Sequence, residues 1–324
     1  MNALRVIAVL VTAVIVLAFL LGCRRSAGPG LTSTPGGKRE PLSANQVVEE
    51  CRKAGLSSVA DQLEKAMLGC FRLVPVSSDE VTGPCRTQIG GQPDLPEPGL
   101  WPEYQQKSLS FVAQINLSEL PKSGLESGLP RTGMLYFFYD AEQSTWGFDP
   151  KDKGSWRVLY AENLPEEPRG AAFPEDLPAH ARYPRKMLKA ISDKSIPEPF
   201  GDGVDFDLSQ RQQDLVLDFY GRYSEEGPPK HRLLGHAMPI QSDMRLQCQL
   251  VSHGLYCGDQ TGYNDPRVKE LEPGAQDWRL LLQIDSDDDV QMMWGDLGRL
   301  YFWIRTDDLR ERKFDAVWMI LECY

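Results

Sequence analysis

The chain carries two pairs of matching blocks, and that repetition limits its possible folds more than any other feature. Trp278-Arg279-Leu280-Leu281-Leu282-Gln283-Ile284-Asp285 follows the pattern of Leu109-Ser110-Phe111-Val112-Ala113-Gln114-Ile115-Asn116. Gly298-Arg299-Leu300-Tyr301-Phe302-Trp303 follows Gly133-Met134-Leu135-Tyr136-Phe137-Phe138. The matches occur in the same order, roughly half a chain apart. Each half thus has a strand ending Gln-Ile-Asn or Gln-Ile-Asp, a variable loop, and a strand beginning Gly-x-Leu-Tyr-Phe. Strands this apolar need a partner surface, so the halves are expected to pack into one body. The expected fold class is α+β, largely antiparallel β with an internal duplication of two β-rich halves and an N-terminal helical pair.

The helical pair is read over residues 42–69. Ser43 with Gln46 three residues on is a capping-box signature, and Val47, Val48, Cys51 and Ala54 share a face. Val59, Leu63, Ala66 and Met67 recur at the same period in a second helix. The duplicated domain is expected over 70–324, with halves at about 70–225 and 226–324. Phe71 to Val76 reads as a strand, placed at an edge because Pro75 cannot donate to a ladder. Strands are expected at 109–115, 134–139 and 155–161. Residues 162–214 are rich in Pro and charge and read as loops and short helices, and Asp214 to Tyr220 as a helix.

The N-terminus gives the compartment. A cationic start is followed by an uncharged run from Val6 to Leu21, then Gly22 and Cys23. This is a signal-peptide pattern. Leu20-Leu21-Gly22-Cys23 resembles a bacterial lipobox, which implies cleavage before Cys23, lipid attachment to it, and a domain held outside the cytoplasm at a membrane. Residues 1–22 would be the leader, and residues 23–41, rich in Gly, Ser, Thr and Pro, a flexible tether. The alternative is an uncleaved single-pass helix presenting the same domain, although the run is short for a bilayer span. Seven Cys are present, six besides Cys23. Cys248 and Cys257 flank Ser252-His253-Gly254-Leu255, read as a turn between strands, and a disulfide is expected there. Cys70 and Cys85 flank another apparent hairpin, and Cys323 reads as a buried free thiol.

Six ordered blocks resemble the YwqG-like family, a bacterial domain of unknown function. They are Gly90-Gly91-Gln92-Pro93, Phe111 to Asn116, Gly133 to Phe138, Leu233-Leu234-Gly235-His236, Leu281 to Asp287, and Met292 to Gly298. The resemblance covers most of the chain from about Cys70. It implies an α+β fold with duplicated halves and brings no catalytic residues.

Candidate chemistry is sparse. With 35 Lys and Arg against 46 Asp and Glu, the net charge of −11 disfavours nucleic acid as a partner. No nucleophile elbow, phosphate loop, dinucleotide fingerprint or zinc-protease helix occurs. Asp285, Asp287 and Asp289 alternate as Ca²⁺ ligands do, and Asp296 falls at position 12 of the same EF-hand-like frame, but Val290 stands where an EF-hand needs Gly. No other cofactor is suggested. Cys248, His253 and Cys257 offer only three zinc ligands of the four a structural site needs. His231 and His236 read as surface or loop residues. Gly91, Pro93, Trp101, Gln114, Gln283 and Trp294 are candidates to line a ligand cleft between the halves. The readings these features support are a lipid-anchored binding or interaction module with an envelope ligand or protein partner, an envelope-directed hydrolase with an acidic site, and a metal-stabilised module.

Intact-mass spectrometry of membrane-extracted protein tests the leader. A chain beginning at a diacylglyceryl-modified Cys23 is expected, and a membrane-bound species retaining residues 1–22 would favour the transmembrane alternative.

Overall fold

A computed structural model describes residues 40–76, 83–97, 100–122, 128–164, 170–199, 208–224 and 227–324. The expected leader, the tether to Arg39 and Cys23 lie outside them. Residues from Glu40 onward form one compact unit.

Helix α1 spans Ala44–Lys53 and begins with the expected capping box: the Ser43 backbone N–H donates to Gln46 Oε1 at 2.8 Å, and the Gln46 N–H donates to Ser43 Oγ at 3.4 Å. Helix α2 spans Ser57–Ala66. Their buried faces, Val47, Val48, Cys51, Val59 and Leu63, pack with Val216, Phe219 and Tyr220 of α3, Gln210–Ser224, which extends beyond the helix expected from sequence at both ends. Helix α4 is Met244–Ser252.

The strands are β1 (Leu68–Pro75), β2 (Gln88–Ile89), β3 (Glu103–Tyr104), β4 (Lys107–Ser108), β5 (Ser110–Asn116), β6 (Met134–Tyr139), β7 (Trp156–Ala161), β8 (Lys186–Ser195), β9 (Arg232–Leu233), β10 (Trp278–Asp285), β11 (Arg299–Arg305) and β12 (Trp318–Glu322). Apart from the β3–β4 hairpin they form one ten-stranded sheet, ordered β12-β11-β10-β9-β1-β8-β2-β5-β6-β7, and every recorded pair is antiparallel. The sheet curls into a near-barrel. Trp156 at the start of β7 meets Trp318 of β12 with ring centroids 5.0 Å apart, and Trp156 Nε1 donates to Val317 O at 2.9 Å. Phe137 and Phe302 meet inside at 5.1 Å, within a core drawn from both halves.

Two sequence expectations change here. β1 is a central strand, not an edge, because β9 pairs only with Phe71 and Arg72 and leaves Pro75 beyond its reach. Within 162–214, read as loops and short helices, lies β8, a ten-residue strand beside β1. Its side chains are mostly only part-buried, so it lacks the apolar alternation that marks a strand in sequence.

The strand order is a palindrome about the β1–β8 pair. Gln114 faces Tyr136 as Gln283 faces Tyr301, and a β-bulge interrupts β5 between Phe111 and Ala113 as it does β10 between Leu280 and Leu282. Gln114 Oε1 accepts from Asp94 N at 2.9 Å, and Nε2 donates to Arg86 O at 2.9 Å. Gln283 Oε1 accepts from Met238 N at 2.9 Å, and Nε2 donates to Lys230 O at 2.8 Å. Tyr136 and Tyr301 then donate to Asp94 O and Met238 O. The tight turns match as well. Gly91 (φ 71°) and Gly235 (φ 80°) are left-handed, and a Cβ would sit 2.7 Å from Cβ of Arg185 or Cys70 respectively. The duplication is therefore structural. One strand crosses between the halves: β1, which precedes the rest in sequence, completes the second half, while β8 completes the first.

Gln114→Leu and Gln283→Leu each strand a buried N–H and C=O. At about 1–3 kcal/mol per unsatisfied group, each should lose roughly 2–6 kcal/mol in urea unfolding. Losses below about 1 kcal/mol in both would show that the amides are not braces.

Candidate functional site

What both halves share builds the frame, so positions that match across the pseudo-axis but differ in chemistry are the candidates for function. By pairing, Gln88 corresponds to Arg232, Asn116 to Asp285, Met134 to Arg299 and Ala161 to Glu322. Thr87 Oγ1 accepts the Asn116 N–H, and His231 Nδ1 accepts the Asp285 N–H, each at 3.1 Å. The second half has charged groups where the first is neutral.

Most of these charges are already matched. Arg299 Nε donates to Asp285 Oδ1 at 2.8 Å. Lys186, reaching from β8, donates to both Asp287 oxygens at 3.0 and 2.7 Å and to Asp289 at 2.7 Å. Because His231 Nδ1 accepts a backbone N–H, its Nε2 carries the hydrogen and donates to Asp287 Oδ2 at 3.1 Å. Burial opposes the Asp287 charge, but these bonds outweigh it and hold the carboxyl at about 2. Burial pushes Glu322 up to about 7, against the N–H groups of Ile240, Gln241 and Ser242 that its oxygens accept. Lys230 is lowered to about 8 by burial and then by Arg232, Arg299 and Arg72. His231, expected at the surface, is a buried brace with 2% exposure.

The other asymmetry is an open space. In the first half, Trp101 lies over Leu95, Leu109, Phe111 and Phe138. Its ring meets Phe138 edge-on at 5.6 Å, and its Nε1 donates to Leu109 O at 2.8 Å. The counterparts of those four residues are Pro239, Trp278, Leu280 and Trp303. There they line a cavity of about 220 Å³ with Gly235, His236, Ala237 and Met244. The indole N–H of Trp303 is buried without a hydrogen-bond partner. A second hollow of about 210 Å³ lies beside Pro229, Asp287 and Leu297.

A family model described as a domain of unknown function, DUF1963, matches residues 87–323. The chain belongs to the DUF1963 family. YwqG-like is a name of this family, so the resemblance read from the six blocks is upheld. No curated protein matches the sequence. The DUF1963 match takes in the frame glutamines, both tyrosines and all of the open cavity's lining except Leu68, while β1 and the helical pair precede it.

Within the DUF1963 domain, the residues expected to line an inter-half cleft do not line either cavity. Gln114 and Gln283 are fully buried braces, Gly91 and Pro93 belong to the turn after β2, and Trp101 is the first-half plug. Trp294 is a core residue whose Nε1 donates to Asp285 O at 3.2 Å. The Asp series does not converge. Asp285 and Asp287 hold Arg299 and Lys186, Asp296 is exposed, and among the described residues no group of three or more His, Cys, Asp or Glu is arranged to hold a metal. Cys248 and Cys257 do not form the expected disulfide. Cys248 sits inside α4 rather than on a strand, and Cys257 Sγ donates to Leu255 O at 3.5 Å. Cys70 and Cys85 flank no hairpin, since β8 separates β1 from β2. All six described cysteines, Cys323 included, are buried free thiols. Sequence reasoning missed Trp303 as a site residue. Its alignment with Phe138 in the repeated Gly-x-Leu-Tyr-Phe block was the available signal.

Asp287 sets a pH dependence. Its folded carboxyl lies below the ordinary 3.8, so its stabilisation is complete above about pH 4 and disappears as pH falls toward 2. The shift corresponds to roughly 2 kcal/mol. Asp287→Asn should flatten the stability loss between pH 4 and 2 in chemical denaturation by about that amount, and an unchanged slope would contradict the ion-pair assignment.

Proposed function

We propose that this chain is a lipid-anchored extracytoplasmic protein whose DUF1963 domain is a binding module, with the second-half cavity as its ligand site. The reading of the anchor rests on the apolar run ending at Cys23 and on the Gly/Pro-rich tether after it. Several acyl chains at one cysteine bury enough methylenes for stable attachment. Among the described residues no helix is long and apolar enough to cross a membrane.

The observation that carries the binding role is the open space over Leu280 and Trp303, set where the first half is filled by its own Trp101. A duplicated frame that leaves one copy of a groove open suits an exchangeable ligand. The charge pattern favours binding over hydrolysis. Acid–base cleavage needs two carboxyls with separated pKa values, free to reach substrate. Asp285 and Asp287 are committed to Arg299, Lys186 and His231, and Glu322 is enclosed by backbone N–H groups.

Thermal unfolding of the detergent-extracted mature chain against small aromatics, envelope glycans and metal ions tests this. A ligand of the native state at about 100 times its Kd adds roughly 2.7 kcal/mol and raises the midpoint. Ala237→Phe, which fills the cavity, should abolish that rise. Product released over time from an envelope substrate, and lost in Asp287→Asn, would instead establish the hydrolase.

A further inference from the structure

The second half also holds a cluster of cations that the duplicated frame does not require. The amide of Gln114 donates to Arg86 O and that of Gln283 to Lys230 O, so Lys230 corresponds to Arg86. Gln88 and Arg232 make equivalent bonds, to Gln92 O at 3.1 Å and to His236 O at 2.9 Å. Met134 corresponds to Arg299. In the first half the one cation of this set is matched, since Arg86 Nε lies 2.6 Å from Glu119 Oε1. Glu119 stands three residues after Asn116. Its counterpart three residues after Asp285 is Asp288, which is exposed and pairs with no cation among the described residues.

Lys230 is thus set among other cations. The register places Arg232 directly across from Arg72, where like charges repel. Arg232 is 4% exposed, and its guanidinium meets Tyr223 Oη at 3.0 Å and His236 O, with no carboxylate at ion-pair distance among the described residues. Asp285 has no oxygen to spare: Arg299 Nε bonds one and the Lys230 backbone N–H the other. The Lys230 side chain itself has neither an ion pair nor a hydrogen bond among the described residues. Its Nζ lies 3.6 Å from where a Cβ on Gly227 would stand, and Gly227 is exposed, so the amine reaches a solvent-facing turn. Burial and then Arg232, Arg299 and Arg72 disfavour the ammonium, against the pull of Asp285, and lower the pKa to about 8. Roughly a tenth of such an amine is neutral at pH 7, against about four parts in ten thousand of an ordinary lysine. A lysine in this setting is a nucleophile.

We infer that Lys230 is a covalent capture site for carbonyl compounds that carry a carboxylate, which it holds as an imine. The amine lone pair forms a C–N bond to the carbonyl carbon, and the carbonyl oxygen leaves as water with both amine hydrogens. Nothing is oxidised or reduced, and hydrolysis reverses the step. The excess positive charge draws the carboxylate, and the Arg72 side chain, 43% exposed, offers it a guanidinium. This goes beyond the binding-module reading and does not use the cavity, which Lys230 does not line.

Reductive trapping on the full chain in detergent tests it. The protein is incubated at pH 7 with glyoxylate or with acetaldehyde, cyanoborohydride fixes each imine as a secondary amine, and peptide mass mapping compares Lys230 with the exposed Lys65 and Lys107. Glyoxylate should label Lys230 at least about tenfold faster than either reference, and acetaldehyde should show a smaller preference. Arg232→Gln installs the residue found at position 88 and removes one charge. It should lower the Lys230 rate several-fold while the Lys65 rate holds. Lys230→Arg should abolish the preferred label. Labelling of Lys230 no faster than of Lys65 would overturn the capture site. An undiminished Lys230 rate in Arg232→Gln would overturn the role of the cation cluster. Equal preference with glyoxylate and acetaldehyde would overturn the carboxylate-bearing class. The cavity reading is judged separately by the thermal screen and Ala237→Phe.

Discussion

A buried glutamine amide holds each half together. Its oxygen takes a backbone N–H and its nitrogen supplies a backbone C=O, so one side chain satisfies two groups that burial would otherwise leave unpaired. The tyrosine on the neighbouring strand donates to the carbonyl of the same residue whose N–H the amide accepts. This fixes the turn leaving β2 or β9 against the sheet. The left-handed pair that follows, Gly90-Gly91 or Leu234-Gly235, can then approach the neighbouring strand. The grooves, plugged or open, are bounded by these turns, so the site depends on the amides although neither touches it.

Sharing a frame lets the two halves diverge without refolding. The first spends its groove on Trp101, which buries apolar surface over Leu109, Phe111 and Phe138. The second leaves the groove open and puts charged residues at the matching sheet positions. Those charges are costly to bury singly and are tolerable here because Asp285 meets Arg299 and Asp287 meets Lys186 and His231. The Lys186–Asp287 pair also ties the two halves together, since Lys186 lies on the strand that completes the first half and Asp287 follows β10 of the second.

Much of the fold was legible because its signals are local. The Gln-Ile-Asn/Asp and Gly-x-Leu-Tyr-Phe blocks marked equivalent strands, and Ser43 with Gln46 marked the first helix. β8 was illegible because it is half-exposed along its length, and the central place of β1 because partners far along the chain decide it. The site was less legible. Gln114 and Gln283 stood out, but sequence cannot tell an amide facing a ligand from one facing backbone. Cys248 and Cys257 suggested a bridge only while residues 244–252 were taken as a strand. The contrast between Trp101 and the space over Trp303 needs three-dimensional superposition, since Trp101 lies outside both repeated blocks.

One groove is filled by the chain's own Trp101 and its twin is open. Xenon enters apolar cavities and scatters X-rays strongly, so crystals of the wild type and of Trp101→Gly under xenon pressure address it directly. Xenon is expected over Leu280 and Trp303 alone in the wild type, and at a second site over Phe111 and Phe138 in Trp101→Gly. Xenon over Phe111 and Phe138 in the wild type, or none over Trp303 in either crystal, would contradict it.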